Sequence, residues 1–216
     1  MELRTTDLTY GQEYWDTLDG GNGYQDSTMW EDLAMLTKEV VAIDHNGDDQ
    51  SNGKRGLDIG CGYGYSVRHL RRRGLDVLGV DLSTYAINNA PADTKPYVMD
   101  MDITSNHGLG FQYSPETFDF VVCFETMEHI PEESVDFVLS QVWHIMKPGG
   151  IGLFTICTDA QPGWDSDPTH ITIKPASWWT KKFKTASFGF LLDKRDFLRL
   201  HHLYAKHEGV FVVYKD

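Results

Sequence analysis

The chain has 216 residues, enough for one globular domain with a substantial core, and its 41% apolar and 24% charged residues are ordinary for a soluble fold. A formal charge of −13 speaks against a nucleic-acid partner, which draws on clustered Lys and Arg; the short run Arg71-Arg72-Arg73 reads as the solvated end of a helix. No apolar run approaches the roughly 18 residues that span a bilayer. Met1 to Asp7 lack the order of a signal peptide, and Cys61, Cys123 and Cys157 form no CxxC pair, so packed thiols in a reducing, cytoplasmic setting are expected.

The N-terminal part is dense in aromatics (Tyr10, Tyr14, Trp15, Tyr24, Trp30) and is interrupted by Gly20-Gly21-Asn22-Gly23. A polar, turn-rich stretch, Asp44 to Gly53, reads as a flexible loop that separates it from the rest of the chain. From Gly56 onward short apolar runs alternate with helical patterns. Strands are predicted at Gly56–Ile59, Asp76–Val80, Tyr97–Met99, Phe118–Phe124 and Gly152–Ile156, and a last one at Val210–Tyr214. Helices are predicted at Tyr65–Arg73, Thr84–Asn89 and Glu132–Met146. The third carries Val135, Val138, Leu139, Val142 and Ile145 at helical spacing and is stopped by Pro148-Gly149-Gly150. Alternating β and α elements with continuously apolar strands imply a doubly wound, mostly parallel α/β sheet covered on both faces.

In such folds ligands bind beyond the carboxyl ends of the strands. The first strand runs into Asp58-Ile59-Gly60-Cys61-Gly62-Tyr63-Gly64, where glycines permit a tight turn and close approach of a ligand to backbone. Asp81, at the end of the next strand, is placed to accept hydrogen bonds from a ribose diol. A dinucleotide site requires a small residue at the sixth position counted from Gly60; that position is Tyr65, which disfavours a nucleotide-dependent oxidoreductase.

The ordered phrases LDIGCGYG, GVDLS, FDFVVCFETMEHI and KPGG resemble the class I methyltransferases that use S-adenosylmethionine (SAM), over roughly residues 55–157. The resemblance implies a Rossmann-like, seven-stranded sheet in a single domain, with residues 1–50 as a lid or cap segment and loop, and 55–216 as the SAM-binding core with acceptor-site insertions. It implies that Asp58, Gly60 and Gly62 surround the methionyl part of SAM, that Asp81 holds the ribose with Leu82 beside the adenine, and that Cys61, Tyr63 and Phe124 also contact the cofactor. Asp100 and Asp102 compete for the place near the adenine amino group; Asp102, followed by Ile103, is preferred. The aromatic N-terminal rings, with Trp178, Trp179 and Phe183, either line a pocket for a small acceptor or fill grooves on the sheet.

After the fourth strand, Glu125, Glu128 and His129 share one face if they form a helical turn. Glu-x-x-Glu-His here is similar to ubiquinone-pathway O-methyltransferases and to RNA-terminal 2′-O-methyltransferases. The first group also resembles this chain at Asp167-Pro168-Thr169-His170 and the following Lys174-Pro175. That resemblance implies that Glu125, Glu128, His129 and His170 can hold magnesium or another divalent ion. Without a metal, His129 or His170 serves as acid/base or substrate contact. The expected activity is methyl transfer to a small-molecule acceptor, a hydroxyl more than an amine. An RNA 2′-O-methyltransferase and a non-catalytic SAM-binding protein stay open as alternatives, and the oligomeric state is not legible.

Overall fold

A computed structural model describes residues 9–21, 24–42, 51–158, 167–191 and 209–216. Residues 44–50 of the predicted loop, and Asn22 and Gly23 of the glycine-rich interruption, lie outside the described residues.

Seven strands form one sheet: β1 (Arg55–Ile59), β2 (Asp76–Asp81), β3 (Val98–Asp100), β4 (Phe118–Phe124), β5 (Met146–Thr155), β6 (Phe188–Phe190) and β7 (Val210–Lys215). Their order is β3-β2-β1-β4-β5-β7-β6, with β1 to β5 parallel and β7 antiparallel to both β5 and β6. The predicted doubly wound, mostly parallel sheet is therefore present. The helices are α1 (Gln12–Gly21), α2 (Thr28–Ala42), α3 (Tyr65–Arg72), α4 (Thr84–Asn88), α5 (Leu109–Gln112), α6 (Val135–Ile145) and α7 (Ala176–Thr185).

Strand periodicity sorts the core into two layers. On β4, Val121 and Cys123 point into the cluster that holds Val138 and Leu139 of α6 and Trp179 and Phe183 of α7. Phe120, Val122 and Phe124 point the other way, against Trp30 and Leu33 of α2 and Val67 and Leu70 of α3. The rings of Trp179, Phe183 and Trp30 thus belong to the core; they fill the sheet grooves and do not line a pocket. Arg71, Arg72 and Arg73 end α3 and pair with Asp76, Asp93 and Glu31, which agrees with their reading as a solvated helix end.

Two predicted boundaries are corrected. The helix read as Glu132–Met146 begins as a 3-10 turn at Glu132–Ser134 and is α-helical only from Val135 to Ile145. Pro148-Gly149-Gly150 does not stop it: the chain has already turned, because Met146 pairs with Phe118. The next pair is Phe120 with Ile151, so Lys147 to Gly150 form an irregularity inside β5, the place where a sheet tolerates Pro and Gly.

Gly56 of β1 shows how tightly the centre is filled. It is paired with Phe120, and a Cβ added there would lie 2.2 Å from the Phe120 ring. Gly56→Ala should destabilise by about 1–3 kcal/mol, as overpacked cores do. Urea unfolding of Gly56→Ala with and without Phe120→Leu checks this: the second substitution should return part of the loss.

Candidate active site

Beyond β1 the chain turns through Gly60 (φ 77°) and Gly62 (φ 54°), a backbone region that strains other residues. A Cβ on Gly60 would lie 2.0 Å from Thr126 Oγ1, and one on Gly62 would press the Trp15 and Tyr24 rings at 3.0 and 3.1 Å. Asp81 fastens this turn to the end of β2. Its two carboxylate oxygens accept the N–H of Gly62 and the N–H of Ser83, each at 2.8 Å. Burial raises the pKa of Asp81, and those two backbone donors work against the rise.

Asp58 is buried. Its pKa is pushed up to about 7, by burial first and by the charge of Asp81 as well, against a hydrogen bond from Ser66. Its Oδ2 has no partner among the described residues. A buried carboxylate oxygen without a partner, facing a glycine turn, fits the ammonium of an amino-acid moiety, and the Asp81 edge fits a diol. The structure gathers Asp58, Gly60, Gly62 and Asp81 at one edge, with Leu82 between Asp81 and Ser83. The Cys61 side chain turns into the core over Gly79, which leaves only its backbone for the turn. Phe124 and Ile103 are largely buried in the two core layers, and exposed Asp102 is occupied with the N–H and hydroxyl of Thr104.

Helix α1 and the residues before it lie across this edge. Trp15 Nε1 donates to Ser83 Oγ and to the Tyr10 carbonyl, each at 3.1 Å, and Ser83 Oγ donates to the same carbonyl at 2.6 Å. The Trp15 and Tyr63 rings lie 5.0 Å apart.

The second half of the site starts where β4 ends. Glu125 still bonds through its N–H to the Thr155 carbonyl at 2.9 Å, then takes a positive φ of 47°. The expected single helical turn from Glu125 to His129 is not formed. Only Met127–His129 is helical, a 3-10 turn, because Glu125 still belongs to the strand end. Thr126 Oγ1 lies 3.0 Å from the Phe124 carbonyl and 3.3 Å from the Ile59 carbonyl, so its one proton bridges the end of β4 and the end of β1, just before the glycine turn.

Glu128 is fully buried. Its Oε1 accepts the Cys157 N–H at 2.9 Å, and its backbone carbonyl accepts Ile171 N–H at 3.1 Å and Thr172 N–H at 2.9 Å. Burial, and then the charge of Glu125, push its pKa well above the usual carboxylate range. The segment pinned in this way brings His170 to His129, with ring centroids 4.7 Å apart. His129 Nδ1 lies 2.9 Å from Thr169 Oγ1, which donates to Asp167 Oδ1 at 2.6 Å; the Tyr14 hydroxyl donates to Asp167 Oδ2 at 3.2 Å.

Burial and the charge of His170 lower the pKa of His129 to about 4, although Asp167 opposes them. Burial pushes Asp167 upward, but the Thr169 hydroxyl and N–H and both histidines outweigh it and hold Asp167 below its ordinary value. Glu128, His129 and His170 each offer a ligand atom within 4.8 Å of the others, a donor set that suits a divalent ion; Glu125 stands outside that compact group. Sequence reasoning missed Thr126, Asp167 and Thr169. The phrase Asp-Pro-Thr-His contained the last two, and only its histidine was singled out.

The methyltransferase domain family matches residues 33–203. A ubiquinone biosynthesis O-methyltransferase of Brucella anthropi is 33% identical over 122 residues, 55% of this chain and 48% of that protein, so the chain spans about half the length of the curated relatives it matches. A chain from the complex of the Haloferax volcanii Trm112 methyltransferase activator with a methyltransferase superposes with a TM-score of 0.65 at 18% identity, covering 99% of both chains. A SAM-dependent methyltransferase from Archaeoglobus fulgidus gives 0.63 at 15% identity over 86% of this chain and 94% of that one; both structures speak to the fold alone. A seven-stranded sheet of this order is the fold that these structures share. The chain belongs to the methyltransferase domain family.

The environment of Asp58 sets a pH dependence. An ionised Asp58 would pair with a SAM ammonium and a protonated one would not, so SAM affinity is expected to fall as pH drops below about 7. Isothermal titration across that range should show the fall in the parent protein, and a weaker, flat profile in Asp58→Asn. Asp81→Ala should weaken SAM by about tenfold or more, the loss expected for hydrogen bonds to a charged group, and Asp100→Ala should do so much less.

Proposed function

We propose that this chain methylates a hydroxyl oxygen of a small molecule, with SAM as the methyl donor. The observation that carries this reading is His129: half-buried, with its pKa lowered to about 4 so that the imidazole is neutral, and three residues from Thr126, which lies against the end of β1. SAM supplies an activated sulfonium methyl, so the chain needs no covalent nucleophile. Its residues align the acceptor, exclude water and receive one proton. Asp58 and Asp81 hold the donor from below. His129, with His170 beside it, receives the acceptor's hydroxyl proton, and a neutral imidazole is the form able to do so. The ubiquinone biosynthesis O-methyltransferase relative supports an oxygen acceptor. Tyr10, Tyr14 and Trp15 form an aromatic cap suited to a ring-bearing acceptor, and α1 acts as the lid that carries it.

One observation favours a second reading. Glu128 Oε2 and Glu125 Oε1 are buried without partners among the described residues, next to the compact group of Glu128, His129 and His170. A magnesium or similar ion held by that group, with Glu125 beside it, would lower the pKa of the acceptor hydroxyl.

His129→Ala should lower kcat by about 10²–10⁴, the span of general-base contributions, with SAM affinity retained. The check is steady-state methylation of hydroxyl and matched amine acceptors. Preference for the amine, or an unchanged kcat, would overturn the oxygen reading. Turnover that persists at full rate in EDTA supports the metal-free base; loss in EDTA with return on adding magnesium supports the ion.

A further inference from the structure

Thr169 occupies a position where hydrogen-bond arithmetic permits one answer. A hydroxyl has a single proton to give and two lone pairs with which to accept. Thr169 Oγ1 lies 2.6 Å from Asp167 Oδ1 and 2.9 Å from His129 Nδ1. An ionised carboxylate accepts only, and two oxygens 2.6 Å apart without a proton between them repel. Asp167 is engaged throughout as an acceptor: it also takes the Thr169 N–H at 2.8 Å and the Tyr14 hydroxyl at 3.2 Å. The Thr169 proton therefore lies toward Asp167. Tyr14 spends its one proton on Asp167, so Tyr10 is the other hydroxyl left to donate to Thr169; it fills one lone pair, leaves the second for His129, and does not displace that proton. Nothing remains on Thr169 to give to His129, so the bond at 2.9 Å requires a proton on His129 Nδ1.

We propose that Asp167 and Thr169 are positioning residues that hold His129 in the Nδ1–H tautomer, leaving Nε2 as its open nitrogen for the acceptor hydroxyl. The assignment of the tautomer stands on geometry; its use in catalysis rests on the oxygen-methylation reading. In that step the acceptor O–H proton passes to Nε2 while the O–CH3 bond forms and the S–CH3 bond breaks, giving the methyl ether and S-adenosylhomocysteine. The imidazolium left behind keeps its Nδ1–H on Thr169, whose own proton stays on Asp167, so the carboxylate stabilises the new charge through one hydroxyl. Thr169 does for His129 what a directly bonded carboxylate does elsewhere, at one atom's remove.

The test is nitrogen NMR of the whole chain with 15N-labelled histidine at neutral pH, the His129 signals being assigned from their absence in His129→Gln. A protonated, pyrrole-type Nδ1 and a pyridine-type Nε2 are expected. Thr169→Ser should keep that pattern. Thr169→Val, which removes the hydroxyl at nearly constant volume, and Asp167→Ala, which frees the Thr169 proton to turn toward His129, should both lose it. An Nε2–H tautomer in the parent chain, or an unchanged pattern in Thr169→Val and Asp167→Ala, overturns the proposal. An undiminished melting shift with SAM shows that a variant is folded; if Thr169→Val is not, Asp167→Ala carries the comparison. This measurement uses no acceptor, so a failure to methylate hydroxyls would sink the functional reading and leave the tautomer standing. In turnover, Thr169→Val should lose about tenfold or more in kcat with the KM for SAM unchanged, and Thr169→Ser should restore it.

Discussion

The histidine pair depends on one buried carboxyl. A carboxyl with no access to water is costly unless it is bonded or neutralised, and Glu128 is both. Its side chain takes the Cys157 N–H just past β5, its carbonyl takes two N–H groups from the segment around residue 171, and burial favours its neutral form. Three stretches of chain that are distant in sequence meet at this residue. His129 comes directly after it and His170 precedes the first N–H that it binds. Glu128 thus brings the two rings together, with Thr169 as a second tie to His129.

The donor and acceptor halves are assembled by different means. The donor half is built from strand ends: β1 delivers the glycine turn, β2 delivers Asp81, and the sheet register between Asp58 and Gly79 and between Ile59 and Val80 fixes their relation. The acceptor half is built from loops held down by side-chain and carbonyl hydrogen bonds. Two joints connect them, the Thr126 hydroxyl on the Ile59 carbonyl and the adjacent residues Tyr14 and Trp15, which bond to Asp167 and Ser83. Asp58, Asp81, Glu125 and Asp167 make the edge acidic, which suits a positively charged donor and places part of the chain's negative charge where it acts.

Legibility in the sequence tracks how directly a residue pattern encodes geometry. Continuous apolar runs bounded by Gly and Asp located β1, β2 and β4 within a residue, because a parallel strand buried on both faces admits little else. The segment Met146 to Gly150 was misread because Pro and Gly usually end an element, whereas here they form an irregularity within one. Helix α2 carries Leu33, Leu36, Val40 and neighbours at helical spacing, a signal present but outweighed by the surrounding aromatics. In the site, Asp58, the glycines and Asp81 could be read from their phrases because backbone placement decides their role. The left-handed backbone at Glu125 could not, since it depends on the bond to Thr155, a partner 30 residues away. Asp167 and Thr169 escaped for a related reason: they serve by orienting a histidine 40 residues away in sequence, and no local spacing encodes that.

The three cysteines acquire a meaning from where the fold puts them. Cys61, Cys123 and Cys157 are buried thiols outside any disulfide, and each sits at or just beyond the carboxyl end of a central strand, under the edge that carries the site. Burial raises the thiol pKa of Cys61 and Cys123 well above the ordinary value, so little thiolate exists to be alkylated or oxidised. Their chemistry is therefore governed by breathing of the sheet edge. The native chain carries its own footprinting probes, silent while the site is closed and reactive only in proportion to the time that it spends open.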